Sequence, residues 1–105
     1  MKDTTKSSFS DRCYKLISLI PKGKVSTYTE IANALNSKGY RAVGNAMAKN
    51  PNLISIPCHR IVRSNSMVGG YVLGTDKKVK LLKREGVAVR NGKIVDFDNI
   101  IHRFK

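Results

Sequence analysis

The chain has 105 residues, of which 20 are Lys or Arg and 7 are Asp or Glu, giving a formal net charge of +13. An apolar share of 41% and this length suit one globular domain with a modest core. Two cysteines, Cys13 and Cys58, and two histidines, His59 and His102, are too few for a disulfide framework or a structural zinc site, and no apolar run reaches membrane-spanning length.

The polar opening MKDTTKSSFSDR lacks the apolar core of a signal peptide. The expectation is a reduced, soluble protein of the cytoplasm (or nucleus, in a eukaryote), with no metal, no cofactor and no membrane partner. Its positive field favours a polyanion, nucleic acid ahead of an anionic lipid surface.

Residues 1–8 read as a disordered lead and 9–105 as a single domain. Phe9, Cys13, Leu16, Ile17 and Ile20 recur at helical spacing, and Pro21 with Gly23 ends that helix. Cys13 lies on its apolar stripe, as a packing residue. Thr27-Tyr28-Thr29-Glu30 is a capping box, followed by Ile31, Ala32 and Leu35 on one face of a second helix ending near Asn36. Ser37-Lys38-Gly39 is a tight turn, and a third helix runs from Arg41 to about Lys49. Two short helices around a Gly-containing turn suggest helix-turn-helix.

The third helix has an unusual composition. Val43, Ala46, Met47 and Asn50 share one face, the core side; Arg41, Gly44, Asn45 and Ala48 share the other. That outer face carries little bulk and begins with one long cation. A mid-helix glycine costs roughly 1 kcal/mol against alanine, so Gly44 needs a reason. Close approach of another backbone is one; a tolerated surface glycine is the other.

Asn50-Pro51 ends this helix, and Leu53-Ile54-Ser55-Ile56 leads into Pro57-Cys58-His59-Arg60-Ile61-Val62. Residues 63–70 are a polar, glycine-rich loop. Asp76 to Glu85 reads as a fourth helix with Val79, Leu81 and Leu82 inward, its lysines outward and Gly86 as its stop. Val87–Arg90 and Lys93–Asp96 flank Asn91-Gly92, a hairpin turn. The predicted fold class is mainly α (α+β): a helix-turn-helix or winged-helix-like DNA-binding domain with a small C-terminal β-hairpin.

Cys58 between Pro57 and His59, with Arg60 beyond, fits either a structural turn or a nucleophile. The thiolate is the reactive form, and nearby cations or a base lower a thiol's pKa. Glu85 sits at a helix C-terminus, where the macrodipole disfavours a negative charge, so a cationic or hydrogen-bonding partner is expected there. In a Cys58–His59–Glu85 relay, His59 takes the thiol proton and Glu85 orients the imidazolium. The plainer readings are a packed His59 and an exposed Glu85.

Arg41-Ala42-Val43-Gly44-Asn45-Ala46-Met47, then Asn50-Pro51, then Ile56-Pro57-Cys58-His59-Arg60-Ile61-Val62 resembles the signature of the O6-alkylguanine-DNA alkyltransferases, in particular their C-terminal catalytic domain. Val25-Ser26-Thr27-Tyr28, Gly69-Gly70-Tyr71 and Lys83-Arg84-Glu85-Gly86 match further family segments, and the likeness covers about residues 8–90.

The resemblance implies DNA repair by direct reversal. An alkyl group passes from guanine O6 in double-stranded DNA to Cys58, irreversibly and once per molecule, with the base flipped out of the duplex. The implied protein is a monomer that enters the minor groove. Gly44 and Ala48 would then let the helix approach DNA, with Ala42 and Asn45 beside them. Arg41 resembles the family's arginine finger. Tyr28 matches the tyrosine that rotates the target's phosphate and protonates the leaving guanine. Asn50 is similar to the asparagine bracing the active-site turn. Arg60, Gly69, Tyr71 and Val72 fall at substrate-pocket positions, and Thr29, Ser37 and Ser64 at phosphate-contact positions.

Val72-Leu73-Gly74 departs from the Ser-Gly-Gly of many members, leaving backbone N–H groups to meet O6. Two competing functions differ at named residues. An alkyltransferase-like lesion binder replaces the cysteine that Cys58 keeps here. A sequence-reading regulator needs base-reading side chains, which the small-faced third helix lacks.

Overall fold

A computed structural model describes residues 8–36, 39–53 and 55–104. Helix α1 (Phe9–Ile17) begins at Ser8, whose Oγ accepts the Asp11 N–H at 3.0 Å. Ser8 is therefore a helix cap and not part of a lead; residues 1–7 lie outside the described residues. The helix buries Cys13 and Ile17. A turn from Pro21 to Lys24 follows, closed by the Lys24 N–H on the Pro21 carbonyl at 3.1 Å. Gly23 takes φ +89° at its third position, the conformation that calls for glycine in a type II turn.

Strand β1 (Ser26–Thr27) runs directly into α2 (Tyr28–Ala34), and α3 is Tyr40–Ala48. Thr27 Oγ1 accepts the Glu30 N–H at 3.0 Å, forming one half of the expected capping box. The Glu30 carboxylate instead pairs with Arg103 at 2.5 Å. Helix α3 buries Val43, Ala46 and Met47, and Tyr14 Oη donates to the Ala46 carbonyl at 2.8 Å, fastening α3 to α1.

A 3₁₀ turn over Cys58–Arg60 precedes β2 (Ile61–Val62), which pairs parallel with β1 as Ser26 with Ile61 and Thr27 with Val62. Neighbouring strand residues face opposite ways. Ile61 accordingly enters a core formed by α1, α2 and α3, while Val62 enters a second core with Val25, Val68, Leu82, Val87 and Ile94. This short ladder is the seam between the two cores, and the chain at Cys58 leads straight into it.

Helix α4 (Thr75–Arg84) supplies Leu82 to the second core. One expectation for this helix fails: Lys78, predicted outward with the other lysines, is fully buried. It lies one helical turn before Leu82 on the same stripe. Its aliphatic stem packs inward, and its ammonium donates to the Gly70 carbonyl at 2.9 Å.

Strands β3 (Val89–Arg90) and β4 (Lys93–Ile94) form the antiparallel hairpin, shorter than expected, with Asn91 at φ 53° and Gly92 at φ 76° as a type I′ turn requires. Beyond it lies α5 (Phe97–Ile100), for which the sequence offered no reading. The following residues run beside the start of β1. Val25 N–H donates to the Ile100 carbonyl at 3.0 Å, His102 N–H to the Val25 carbonyl at 2.6 Å, and Ser26 Oγ to the His102 carbonyl at 2.8 Å. Among the described residues, no helix is long and apolar enough to cross a membrane.

Ile61→Ala should lower unfolding stability by about 2–5 kcal/mol, because it empties the first core at the seam. Arg103→Ala should cost less than about 1 kcal/mol, since its side chain is 56% exposed. Urea denaturation measures both, and equal losses would show that the seam is not a principal support.

Candidate active site and nucleic-acid interface

Cys58 heads the 3₁₀ turn and is 4% exposed. Asn50, just past α3, holds the approach to this turn. Its Nδ2 donates to the Ile56 carbonyl at 2.7 Å, and its Oδ1 accepts the Asn52 N–H at 2.8 Å. Burial pushes the Cys58 thiol above its ordinary range; a hydrogen bond with the Asn50 side chain and the Lys78 charge oppose this without reversing it. In the protein alone, the desolvated sulfur favours its protonated form.

Glu85, capping the C-terminus of α4, accepts three side-chain hydrogen bonds. Arg60 grips it with both arms, Nε to Oε1 at 2.9 Å and Nη2 to Oε2 at 2.7 Å. His59 Nε2 lies 2.9 Å from Oε2. Burial pushes the Glu85 carboxyl upward, but the hydrogen bonds from Arg60 and His59 outweigh it and hold it below the usual range. Burial lowers the His59 pKa despite the opposing pull of Glu85. The ring is therefore neutral near pH 7. The bond to Glu85 assigns its proton to Nε2, which leaves Nδ1, buried and with no hydrogen-bond partner among the described residues, as the basic nitrogen.

Arg60 also donates Nη1 to the Ile20 carbonyl at 2.7 Å. Its side chain is engaged inside the fold, tying the segment after α1 to Glu85, which corrects its expected place in the substrate pocket.

The loop after β2 covers this site. Gly69 takes φ +79°, and the Gly70 carbonyl receives Lys78. Tyr71 packs against the core that contains Cys58. A turn closed by the Gly74 N–H on the Tyr71 carbonyl at 2.9 Å leaves Val72 and Leu73 at its tip, 53% and 55% exposed.

Beside this loop opens a cleft of about 600 Å³ lined by Tyr28, Thr29, Arg41, Gly44, Asn45, Arg63 and Ser64. It gathers the start of α2, the small face of α3 and the residues just past β2. Six of its seven residues carry a sequence-based DNA assignment; Arg63 does not. Ala42 is exposed on α3 away from the cleft wall, and Ser37 lies outside the described residues. Burial raises the Tyr28 hydroxyl pKa, and Cys58 raises it further while Arg63 opposes. The phenol thus keeps its proton and lies within electrostatic reach of the sulfur.

Sequence reasoning missed Lys78 and Arg63. Lys78 shares a stripe with Leu82, a periodicity that marked it as inward. Burial lowers its pKa to about 8, with the Cys58 charge opposing. Arg63 stood in a segment read only as a loop.

Glu85 and His59 both titrate below their ordinary values. Their contribution to stability is therefore complete at neutral pH and declines as pH falls, first through the histidine range and then through the carboxylate range. Thermal melts from about pH 7 to about pH 4 should show this loss, and Glu85→Gln should flatten its carboxylate part, leave the histidine part in place and lower stability at neutral pH. A wild-type melting temperature independent of pH across that window would contradict the network.

Residues 8–87 match the family described as 6-O-methylguanine DNA methyltransferase, DNA binding domain. The chain is 45% identical over 84 residues to a methylated-DNA–protein-cysteine methyltransferase of Metallosphaera sedula, covering 80% of this chain and 53% of the relative. The corresponding Candida glabrata protein is 46% identical over 88 residues, covering 83% and 42%. The chain thus spans about half, or less, of the curated relatives it matches.

Among solved structures, the O6-methylguanine-DNA methyltransferase of Pyrococcus kodakaraensis superposes with TM-score 0.70 at 40% identity, over 78% of this chain and 48% of that one. Schizosaccharomyces pombe Atl1, solved with damaged DNA containing O6-carboxymethylguanine, superposes with TM-score 0.80 at 25% identity, over 99% and 100%. A cysteine turn braced by an asparagine, a His–Glu–Arg network and a cationic cleft thus coincide with an 80-residue family match (8–87), and the chain belongs to the 6-O-methylguanine DNA methyltransferase family through its DNA-binding domain.

Proposed function

We propose that this chain repairs DNA by direct reversal, moving an alkyl group from guanine O6 to Cys58 once per molecule, and that it corresponds to the catalytic portion of its longer relatives. The observation that carries this reading is a buried Cys58 followed by a neutral His59, whose Nε2 is held by Glu85 and whose Nδ1 is free to accept a proton. His59 takes the thiol proton, directly or through one water, and Glu85 stabilises the imidazolium. The thiolate attacks the alkyl carbon in line. The sulfur–carbon bond forms as the carbon–O6 bond breaks, and its electron pair passes to guanine. Tyr28 gives the departing base a proton, and the thioether left behind resists hydrolysis.

The target must leave the duplex to reach a sulfur that is 4% exposed. Arg41, at the mouth of the cleft, fills the vacated stack. Gly44 and Asn45 let α3 sit close to the minor-groove backbone, while Thr29 and Ser64 meet phosphates. Gly69, Tyr71 and Val72 border the base, with Asn50 holding the turn beneath it. The scheme takes the protein to act as a monomer, wherever the cell's DNA lies. A second reading, lesion binding without transfer, draws on the full-length superposition on Atl1; Cys58 is the residue that separates the two.

Incubation with duplex DNA containing O6-methylguanine should add one methyl mass at Cys58 in intact-protein mass spectrometry. Cys58→Ala should keep DNA binding and lose transfer, and Arg41→Ala should slow transfer from duplex DNA. Tight binding with no mass change would decide for the second reading. Because burial holds the thiol pKa up, single-turnover transfer should accelerate as pH rises from neutrality. Lys78→Met, which removes a charge that favours the thiolate, should move that profile to higher pH.

A further inference from the structure

The cleft holds a cation that the scheme above leaves without a role. Arg63 lies just past β2, exposed, on the same cleft as Arg41 and Tyr28. Its backbone is fixed on both sides: its N–H donates to the Met67 carbonyl at 2.9 Å, and its carbonyl accepts the Ser66 N–H at 2.9 Å. Its stem runs alongside Gly69. A β-carbon at Gly69 would fall 3.1 Å from Arg63 Cγ and 3.6 Å from Cδ, so the bare Gly69 backbone is what the stem lies against. Its guanidinium acts electrostatically on the Tyr28 hydroxyl. Yet among the described residues it makes no ion pair, while Arg60 and Arg103 are both matched to carboxylates. A positioned, exposed and uncompensated guanidinium in a cleft otherwise lined by hydroxyls, an amide, a glycine and a second arginine is arranged for an anion from outside.

We infer that Arg63 is a phosphate ligand, which clamps the DNA phosphodiester beside the flipped nucleotide from the wall of the cleft just past β2. This rests on the alkyl-transfer reading and deepens it. Rotating a nucleotide out of the stack swings its flanking phosphates toward the pocket mouth. A cation at that mouth favours the extrahelical state over the stacked one. Arg41 fills the space the base leaves, and Arg63 retains the backbone that moved with it.

The test compares wild-type protein with Arg63→Met and Arg63→Lys. Binding to an O6-methylguanine duplex, measured across a salt series, should weaken about tenfold in Arg63→Met, with the slope of log K against log salt falling by about one. Arg63→Lys should recover the slope and part of the affinity, since it keeps the charge and loses the fork. Single-turnover transfer from the duplex should fall in Arg63→Met by about tenfold more than transfer from O6-benzylguanine, a free base with no phosphate. An unaltered salt slope, or equal losses on duplex and free base, would overturn the clamp and leave Arg63 a support for the Gly69 loop. The salt slope is read from binding alone, so it judges Arg63 even if wild-type protein forms no adduct, a result that would refute alkyl transfer instead.

Discussion

The Glu85 carboxylate is the point on which the site and the fold both depend. It sits where a helix end disfavours negative charge, and it is retained there by a two-armed bond from Arg60 and a bond to His59. Arg60 passes the constraint on through the Ile20 carbonyl to the segment that follows α1. One side chain thereby joins that segment, the cysteine turn and the last turn of α4. The network is nearly dry, so removing any member leaves a charge or donor with no substitute partner.

The same closure sets the chemistry of the sulfur. Burial raises the Cys58 thiol, and Asn50 and Lys78 moderate it. A thiol kept largely protonated is sheltered from adventitious alkylation and oxidation, which suits the single reaction proposed for Cys58. Ionisation is then left to a nearby base, and the neutral His59 with its buried Nδ1 is suited to that task. Lys78 belongs to the same pocket. Its buried ammonium, held by the Gly70 carbonyl, joins α4 to the loop that brings Tyr71 over the site.

The C-terminal segment adds a support beyond residue 87, where the family match ends. It runs along Val25 and Ser26 and pairs Arg103 with Glu30, at the point where β1 becomes α2. Tyr28, the first residue of α2, therefore stands on a strand paired with β2 and flanked by the tail. The cleft inherits its geometry from this short strand.

The sequence by itself determined the first four helices, the two-faced character of α3, the Asn91-Gly92 hairpin and the order of the motif residues. Each of these follows from spacing or from turn chemistry within a few residues of chain. Asn50, His59 and Glu85 were also nameable, because their positions in a known pattern carry that information. Tertiary structure alone decided the parallel pairing of β1 with β2 and the docking of the tail, since two-residue strands have no periodicity to read. It also decided the burial of Lys78, where a long apolar stem overrides the sign of its head group. It turned Arg60 inward to Glu85 and left Arg63 facing the cleft. Two arginines three residues apart look alike as letters, and only the presence or absence of a carboxylate across the fold tells a structural cation from one kept for an outside partner.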